Sequence, residues 1–237
     1  MKIRAIDEYN DAGHLIYSEN CVGAFVRGRT REEAVAKFGA EIAQYARWAG
    51  MPATAAEDCT VEIVQQKLSA LNVCDADSDV LFHSERPPLS AGEYGELKAL
   101  ALRSASDFLE LYSSIPDKDG TTLAPRKTFY GDVPVTARDM YEHTKNVNGY
   151  YFGEIGVSAQ NGPDIYQCRK SAFDTLAKRP DYLDNAVYDG SYGEQWSLRK
   201  VCRRFVWHDR IHARAVYRMA IKLCGADNVK NPFMFDM

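Results

Sequence analysis

His208-Asp209-Arg210-Ile211-His212 lies in a helical run from Trp196 to Leu223, and its spacing decides how the second half of the chain reads. Residues four apart on an α-helix share a face, with Cβ atoms roughly 5–6 Å apart. Two imidazoles so placed can close on one metal ion. Leu198, Val201, Phe205, Ala215 and Met219 fall on the same face, which turns the pair inward. Histidines in such a place either pack through a hydrogen bond or bind metal. Arg199, Lys200, Arg203, Arg204, Arg210, Arg214 and Arg218 give the helix a basic outer face. That face is expected to be solvated and paired with acids of neighbouring helices, or to meet an anionic ligand or partner.

An inward pair calls for a third ligand on a facing helix. Of the five histidines, His14 and His83 lie in or near the N-terminal segment and read as surface residues. His143 shares its helical phase with Met140, Val147 and Tyr150 and is expected to face the core. Three imidazoles leave a coordination position open, as in catalytic rather than structural zinc sites. The expected metal set is therefore His143, His208 and His212. Asp209 and Glu142 are neighbours of ligands, but adjacency turns them off the ligand face, so no general base is named. Cys202, a turn and a half before His208, is a further neighbour of the site, while the six scattered cysteines read as core fillers. The motif differs from the HExxH of zinc proteases by Asp for Glu. No histidine follows His212 to complete such a site, which argues against a protease.

Working outward, helix starts are legible before this one. Ser90-Ala91-Gly92-Glu93 is a capping-box pattern ahead of a helix to about Ser114. Thr136-Ala137-Arg138-Asp139 opens a second helix ending near Gly156. Pro163 suits the first turn of a third, running to about Lys178. Ser191-Tyr192-Gly193-Glu194 is expected to open the fourth, closed by Gly225. Four such helices make a bundle, and bundle cores are where facing helices build metal sites. The connection from Ile115 to Val135 is long for a bundle and is expected to wall the site, with Asp117-Lys118-Asp119-Gly120, Lys127, Phe129 and Tyr130 as contributors. Trp207 is expected to support the ligands from behind.

The first 74 residues have a different character. Met1–Glu8 and His14–Ser18 alternate as strands around a turn, Gly23–Gly28 follows as a third, and Thr60–Gln65 returns as a fourth. Thr30-Arg31-Glu32-Glu33 caps an amphipathic helix with Ala34, Phe38, Ile42, Tyr45 and Trp48 inward, ending at Gly50. The expectation is a separate α/β unit whose helix packs on a short antiparallel sheet. Asp75-Ala76-Asp77-Ser78-Asp79 and Pro87-Pro88 mark residues 75–89 as a linker or irregular crossing, so the chain divides into 1–74, 75–89 and 90–237.

Composition adds limits. The chain has 237 residues, 46% hydrophobic and 26% charged, values ordinary for a globular protein. A net charge of −4 is not that of a nucleic-acid-binding polycation. No apolar run approaches the roughly 20 residues of a membrane span, and Met1–Glu8 has no signal-peptide core. With no CxxC pair, the expectation is a reduced, cytoplasmic protein.

Val201-Cys202-Arg203-Arg204-Phe205-Val206-Trp207-His208-Asp209-Arg210-Ile211-His212 resembles the last-helix signature of the DinB-like metalloenzyme family, an arginine-bearing apolar run followed by Trp-His-x-x-x-His. Met140-Tyr141-Glu142-His143 stands where that family carries its earlier histidine. The resemblance covers about residues 90–224. It implies a four-helix bundle with a three-histidine site for a divalent ion, zinc or nickel. Residues 1–70, notably Ala24-Phe25-Val26-Arg27-Gly28-Arg29-Thr30-Arg31-Glu32-Glu33-Ala34, resemble the βββαβ module of HicB antitoxins. The implied fold is α+β, a HicB-like module followed by a DinB-like four-helix bundle. The implied function is a metal-dependent transferase or hydrolase that activates a thiol or water for S-transfer, isomerisation or hydrolysis. Its expected partners are a small-molecule substrate such as a low-molecular-weight thiol, and a second copy in a homodimer, with neither membrane nor nucleic acid. The other class is a non-catalytic, metal-stabilised bundle whose HicB-like module binds a protein.

Overall fold

A computed structural model describes residues 1–52, 59–128 and 131–236. The fold is mixed α+β, with a four-stranded sheet at the N-terminus and helices after it. Strands β1 (Lys2–Asn10) and β2 (Gly13–Ser18) form an antiparallel hairpin, and β3 (Phe25–Gly28) pairs with β2. Two helices follow, α1 (Arg31–Val35) and α2 (Phe38–Ala49), so the single helix expected from Thr30 is broken at Ala36-Lys37. The Thr30 hydroxyl accepts from the Glu33 amide at 3.2 Å, and Gly50 closes α2 at φ 71°. Ala34, Phe38, Ile42, Tyr45 and Trp48 are all buried, as their spacing predicts.

Strand β4 (Thr60–Leu68) corrects the antiparallel expectation: it lies beside β1 and runs parallel to it. The sheet order is β3-β2-β1-β4. The α1–α2 crossover carries the chain from one edge to the other in the direction of β1, the connection a parallel pair requires. One core joins Ile3, Ala5 and Ile16 to Phe38 and Ile42, and reaches Phe108 and Phe205 among the later helices. A second joins Leu15, Tyr17 and Phe25 to Phe82 and Trp207. Residues 75–89, read as a linker, pack into this region, with Val80, Phe82 and Leu89 buried.

Four longer helices follow. Helix α3 (Ala91–Ser114) has its capping box in place, with Ser90 Oγ accepting from the Glu93 amide at 3.2 Å and Glu93 accepting from the Ser90 amide at 2.9 Å. A short hairpin, β5 (Lys127–Thr128) and β6 (Gly131–Asp132), leads to α4 (Ala137–Gly153). Helix α5 (Ile165–Leu176) starts later than Pro163 suggests, because the Asp164 carboxylate is the cap, accepting from the Gln167 amide at 2.8 Å. Strands β7 (Tyr188–Asp189) and β8 (Gln195–Trp196) pair before α6 (Leu198–Cys224). Ser191 therefore does not open the last helix; Tyr192 is left-handed at φ 59°, and Ser197 Oγ caps by accepting from the Lys200 amide at 3.2 Å. Helices α3, α4 and α5 pack on one another and α3 and α4 on α6. No described helix is long and apolar enough to cross a membrane.

The basic outer face of α6 is not solvated along its first half, although Arg218 further on is exposed. Every residue from Lys200 to Arg210 is buried, because the N-terminal sheet and the 75–89 segment cover the side turned away from the other helices. Arg203 meets Glu85 at 2.5 Å, Arg210 meets Glu41 at 2.7 Å, and Lys200 meets Glu194 at 2.8 Å. The approach is close enough at Gly23, φ +89°, that an added Cβ would lie 2.5 Å from Val206 Cγ1.

Candidate metal centre

Helix α6 supplies His208 and His212, and α4, packed against it, supplies His143. His143 Nε2 lies 3.2 Å from His208 Nε2, and His212 Nε2 lies 3.2 Å from the same atom. The three ligand nitrogens all fall within 4.8 Å of one another. Ring centroids stand 5.1, 4.9 and 4.5 Å apart for the pairs 143–208, 143–212 and 208–212. Tetrahedral ligands with bonds of 2.0–2.1 Å sit roughly 3.3–3.4 Å from each other, so the two spacings on His208 match a shared ion. An imidazole nitrogen carries one proton or one lone pair. It can satisfy one such neighbour well; two at equal distance are what a cation between them would satisfy.

The three rings differ in exposure. His143 was expected to face the core, yet it is exposed, and Tyr150 beside it is 36% exposed. The inward face of α4 is carried by Met140, Tyr141, Thr144, Asn148, Tyr151 and Phe152, about one residue round from the apolar series read in the sequence. Asn148 on this face accepts from Arg169 Nε at 3.0 Å. His143 thus reaches the other two from the solvent edge. His208 is only 9% exposed and His212 is half-buried.

Burial sets their charge. His143 is lowered below its usual pKa by desolvation. Desolvation, then the neighbouring His212 and His143, hold His208 well below it. His212 is pushed down to about 3, by desolvation first and His143 second. All three are neutral near pH 7, the form in which imidazole donates to a metal. Nδ1 of His208 is buried without a hydrogen-bond partner among the described residues, so the outer contact that commonly fixes a ligand's tautomer is missing.

Behind the ligands lies a polar core that the sequence reading missed. Asp209, next to His208, is fully buried and bound by Arg169 of α5 at 2.5 and 3.0 Å. Ser104 Oγ of α3 donates to the same carboxylate at 2.5 Å, and Arg169 Nη1 donates to the Ala101 carbonyl at 2.9 Å. With Asn148 of α4, all four helices contribute to the polar core. The signal was present: Arg169 falls in phase with Ile165, Cys168, Ala172, Phe173 and Leu176, a cation on an apolar stripe.

No other sequence candidate joins the three-histidine group among the described residues. Cys202 is buried, its thiol pushed up to about 12 by desolvation, and it is not grouped with the histidines. Cys21 and Cys168 are buried too, but Cys74 is exposed, so not every cysteine fills the core. His14, read as a surface residue, is half-buried and bonded to the buried Asp7 at 2.9 Å; His83 is exposed. Trp207 lies behind the site, edge-on to Tyr17 and Phe25 of the sheet. The 115–135 connection is held by ion pairs of Arg138 with Asp119 and of Arg126 with Asp75, both at 2.6 Å. Among the described residues no hydrogen bond, ion pair or ring contact joins it to the imidazoles; Phe129 and Tyr130 lie outside those residues. A cleft of about 430 Å³ opens at β4, lined by Gln65, Lys67, Asp79, His83 and Arg86 among others, and includes none of His143, His208 and His212. No family model, no curated protein and no solved structure matches this chain.

Proposed function

We propose that this chain is a divalent-metal-dependent protein of the DinB type, with α3 to α6 as its four-helix bundle and the N-terminal unit as a HicB-like module. The reading rests on one observation, the two 3.2 Å Nε2 spacings on His208. His143, His208 and His212 would hold the ion, zinc or nickel, since imidazole suits either. Bound there, such an ion acts as a Lewis acid that lowers the pKa of a water or thiol in its open position. The residues around it do the positioning. The Arg169–Asp209 pair holds the rotation of α6 and hence the direction of two ligands. The exposure of His143 puts one ligand in contact with solvent, which favours ligand exchange over a sealed structural ion. The proposed reaction class is attack by thiol or water on a small electrophile, giving S-transfer, isomerisation or hydrolysis.

Elemental analysis of tag-free protein, purified without added metal, should find about one zinc or nickel per chain. Turnover with a low-molecular-weight thiol and an electrophile should follow the metal content. Protein that neither retains nor takes up a stoichiometric ion would overturn the reading, and stoichiometric metal without turnover would leave a non-catalytic metal protein.

A further inference from the structure

Most cations along α6 that face protein have a carboxylate: Arg199 has Glu93, Lys200 has Glu194, Arg203 has Glu85, and Arg210 and Arg214 share Glu41. Arg218 and Lys222 are exposed to water. Arg204 is the exception. It is only 8% exposed, yet it forms no ion pair among the described residues. Nη1 donates to the Ser78 carbonyl at 2.9 Å, and Nε is buried without a partner. The faces of Trp207, Tyr151 and Trp196, at 4.6, 5.5 and 5.6 Å, supply the rest of its surroundings. Such contacts offset part of the cost of burying a cation, but none brings a negative charge.

Arg204 stands one helical turn before His208, on the same face. Tyr151 links the two, its ring 6.0 Å from His208 and 5.5 Å from the guanidinium. The neighbouring ligands are three neutral imidazoles, and the one buried carboxylate beside them, Asp209, is already neutralised by Arg169. A divalent ion here would therefore add to the positive charge of Arg204, which feels the carboxylates of Glu194 and Glu8 but forms an ion pair with neither. Asp77, before the Ser78 that Arg204 bonds, is half-buried, and its carboxylate makes no hydrogen bond or ion pair among the described residues while feeling Arg204 and Arg126. It lowers the local positive potential without closing on the guanidinium.

We propose that the centre selects anionic small molecules, the metal taking the donor atom and Arg204 pairing with a carboxylate on the same ligand. This rests on the metal reading above. Arg204 is thus a specificity residue, and Asp77 tunes it by competing with the ligand's charge. Two thiols of similar size separate the charge from the donor atom: mercaptoacetate and 2-mercaptoethanol.

The test loads the full chain with cobalt(II) and follows the thiolate-to-cobalt absorption during titration with each thiol. The readout is the affinity ratio of mercaptoacetate to 2-mercaptoethanol, compared between proteins so that chelation by the carboxylate itself cancels. Arg204→Met should lower the ratio roughly ten-fold or more, the loss expected for a charge-assisted bond, with cobalt still bound. Arg204→Lys should fall between. Asp77→Asn, a change at a half-exposed position that keeps shape, should raise the ratio. Equal ratios in wild type, Asp77→Asn and a cobalt-loaded Arg204→Met would overturn the proposal while leaving the metal reading intact. A wild type that shows no cobalt spectrum would remove both.

Discussion

Arg169 on α5 and Asp209 on α6 meet through two hydrogen bonds, of 2.5 and 3.0 Å, with both side chains fully buried. The contact lies one residue from His208, so the carboxylate that fixes α6 against the other helices also fixes the ligand beside it. Removing one partner leaves the other charge buried and bare, which costs about 3–5 kcal/mol. Asp209→Ala should lose stability of that order in urea unfolding, with metal affinity falling as well. A loss under about 1 kcal/mol would mean that the charge finds water, since surface pairs are worth no more than that.

His208→Ala or His212→Ala should abolish stoichiometric metal binding, measured by calorimetric titration, and leave the helical circular dichroism intact. The packed core around Phe108, Phe152, Phe173 and Phe205 stabilises the helices without the ion. Unfolding on chelation would instead show an ion holding the fold together, as in a zinc finger.

The metal-free protein should lose stability as pH falls below about 6.5, the ordinary histidine pKa. Folded His143, His208 and His212 all bind protons more weakly than the unfolded chain, His212 only near pH 3. The unfolded state therefore gains protons first, and stability rises with pH across that window. Replacing His212 by Leu should flatten the acid limb in denaturant titrations at several pH values. An unchanged slope would place the acid sensitivity elsewhere.

Glu8 acts with the opposite sign. Desolvation first, then the hydrogen-bonded Asp79, push its carboxyl up to about 7. The folded state holds that proton where the unfolded chain has lost it, so the contribution is complete at low pH and lost as pH rises through about 7. Glu8→Gln keeps a neutral acceptor for Ser78 and should remove the alkaline decline, leaving the acid limb unchanged. The same denaturant series checks it.

Gly23→Ala tests how firmly the sheet sits on α6. A methyl there would approach Val206 Cγ1 at 2.5 Å, on a backbone with φ +89° that non-glycine residues rarely adopt. Overpacking of this kind costs about 1–3 kcal/mol, read as a lower urea midpoint. Wild-type stability would mean the two parts separate easily in solution.

Features under local chemical control were legible along the chain. Capping groups placed Thr30, Ser90 and Thr136 at helix starts, alternation placed the strands, and the i,i+4 rule put His208 beside His212. Where two local signals compete, only one carries the cap: Asp164 rather than Pro163, and Ser197 rather than Ser191. The tertiary structure decided what depends on partners far along the chain. The parallel pairing of β4 with β1 is set by the crossover, and the burial of Arg203 and Arg210 by Glu85 and Glu41, more than 100 residues away. The inward face of α4 combines Tyr141, Tyr151 and Phe152 with Asn148, which binds Arg169 of α5, and His143 lies at its exposed edge. Periodicity counts apolar residues, and a buried charge with its counter-ion on another helix is invisible to it, because the pair exists only after folding has brought the partners together.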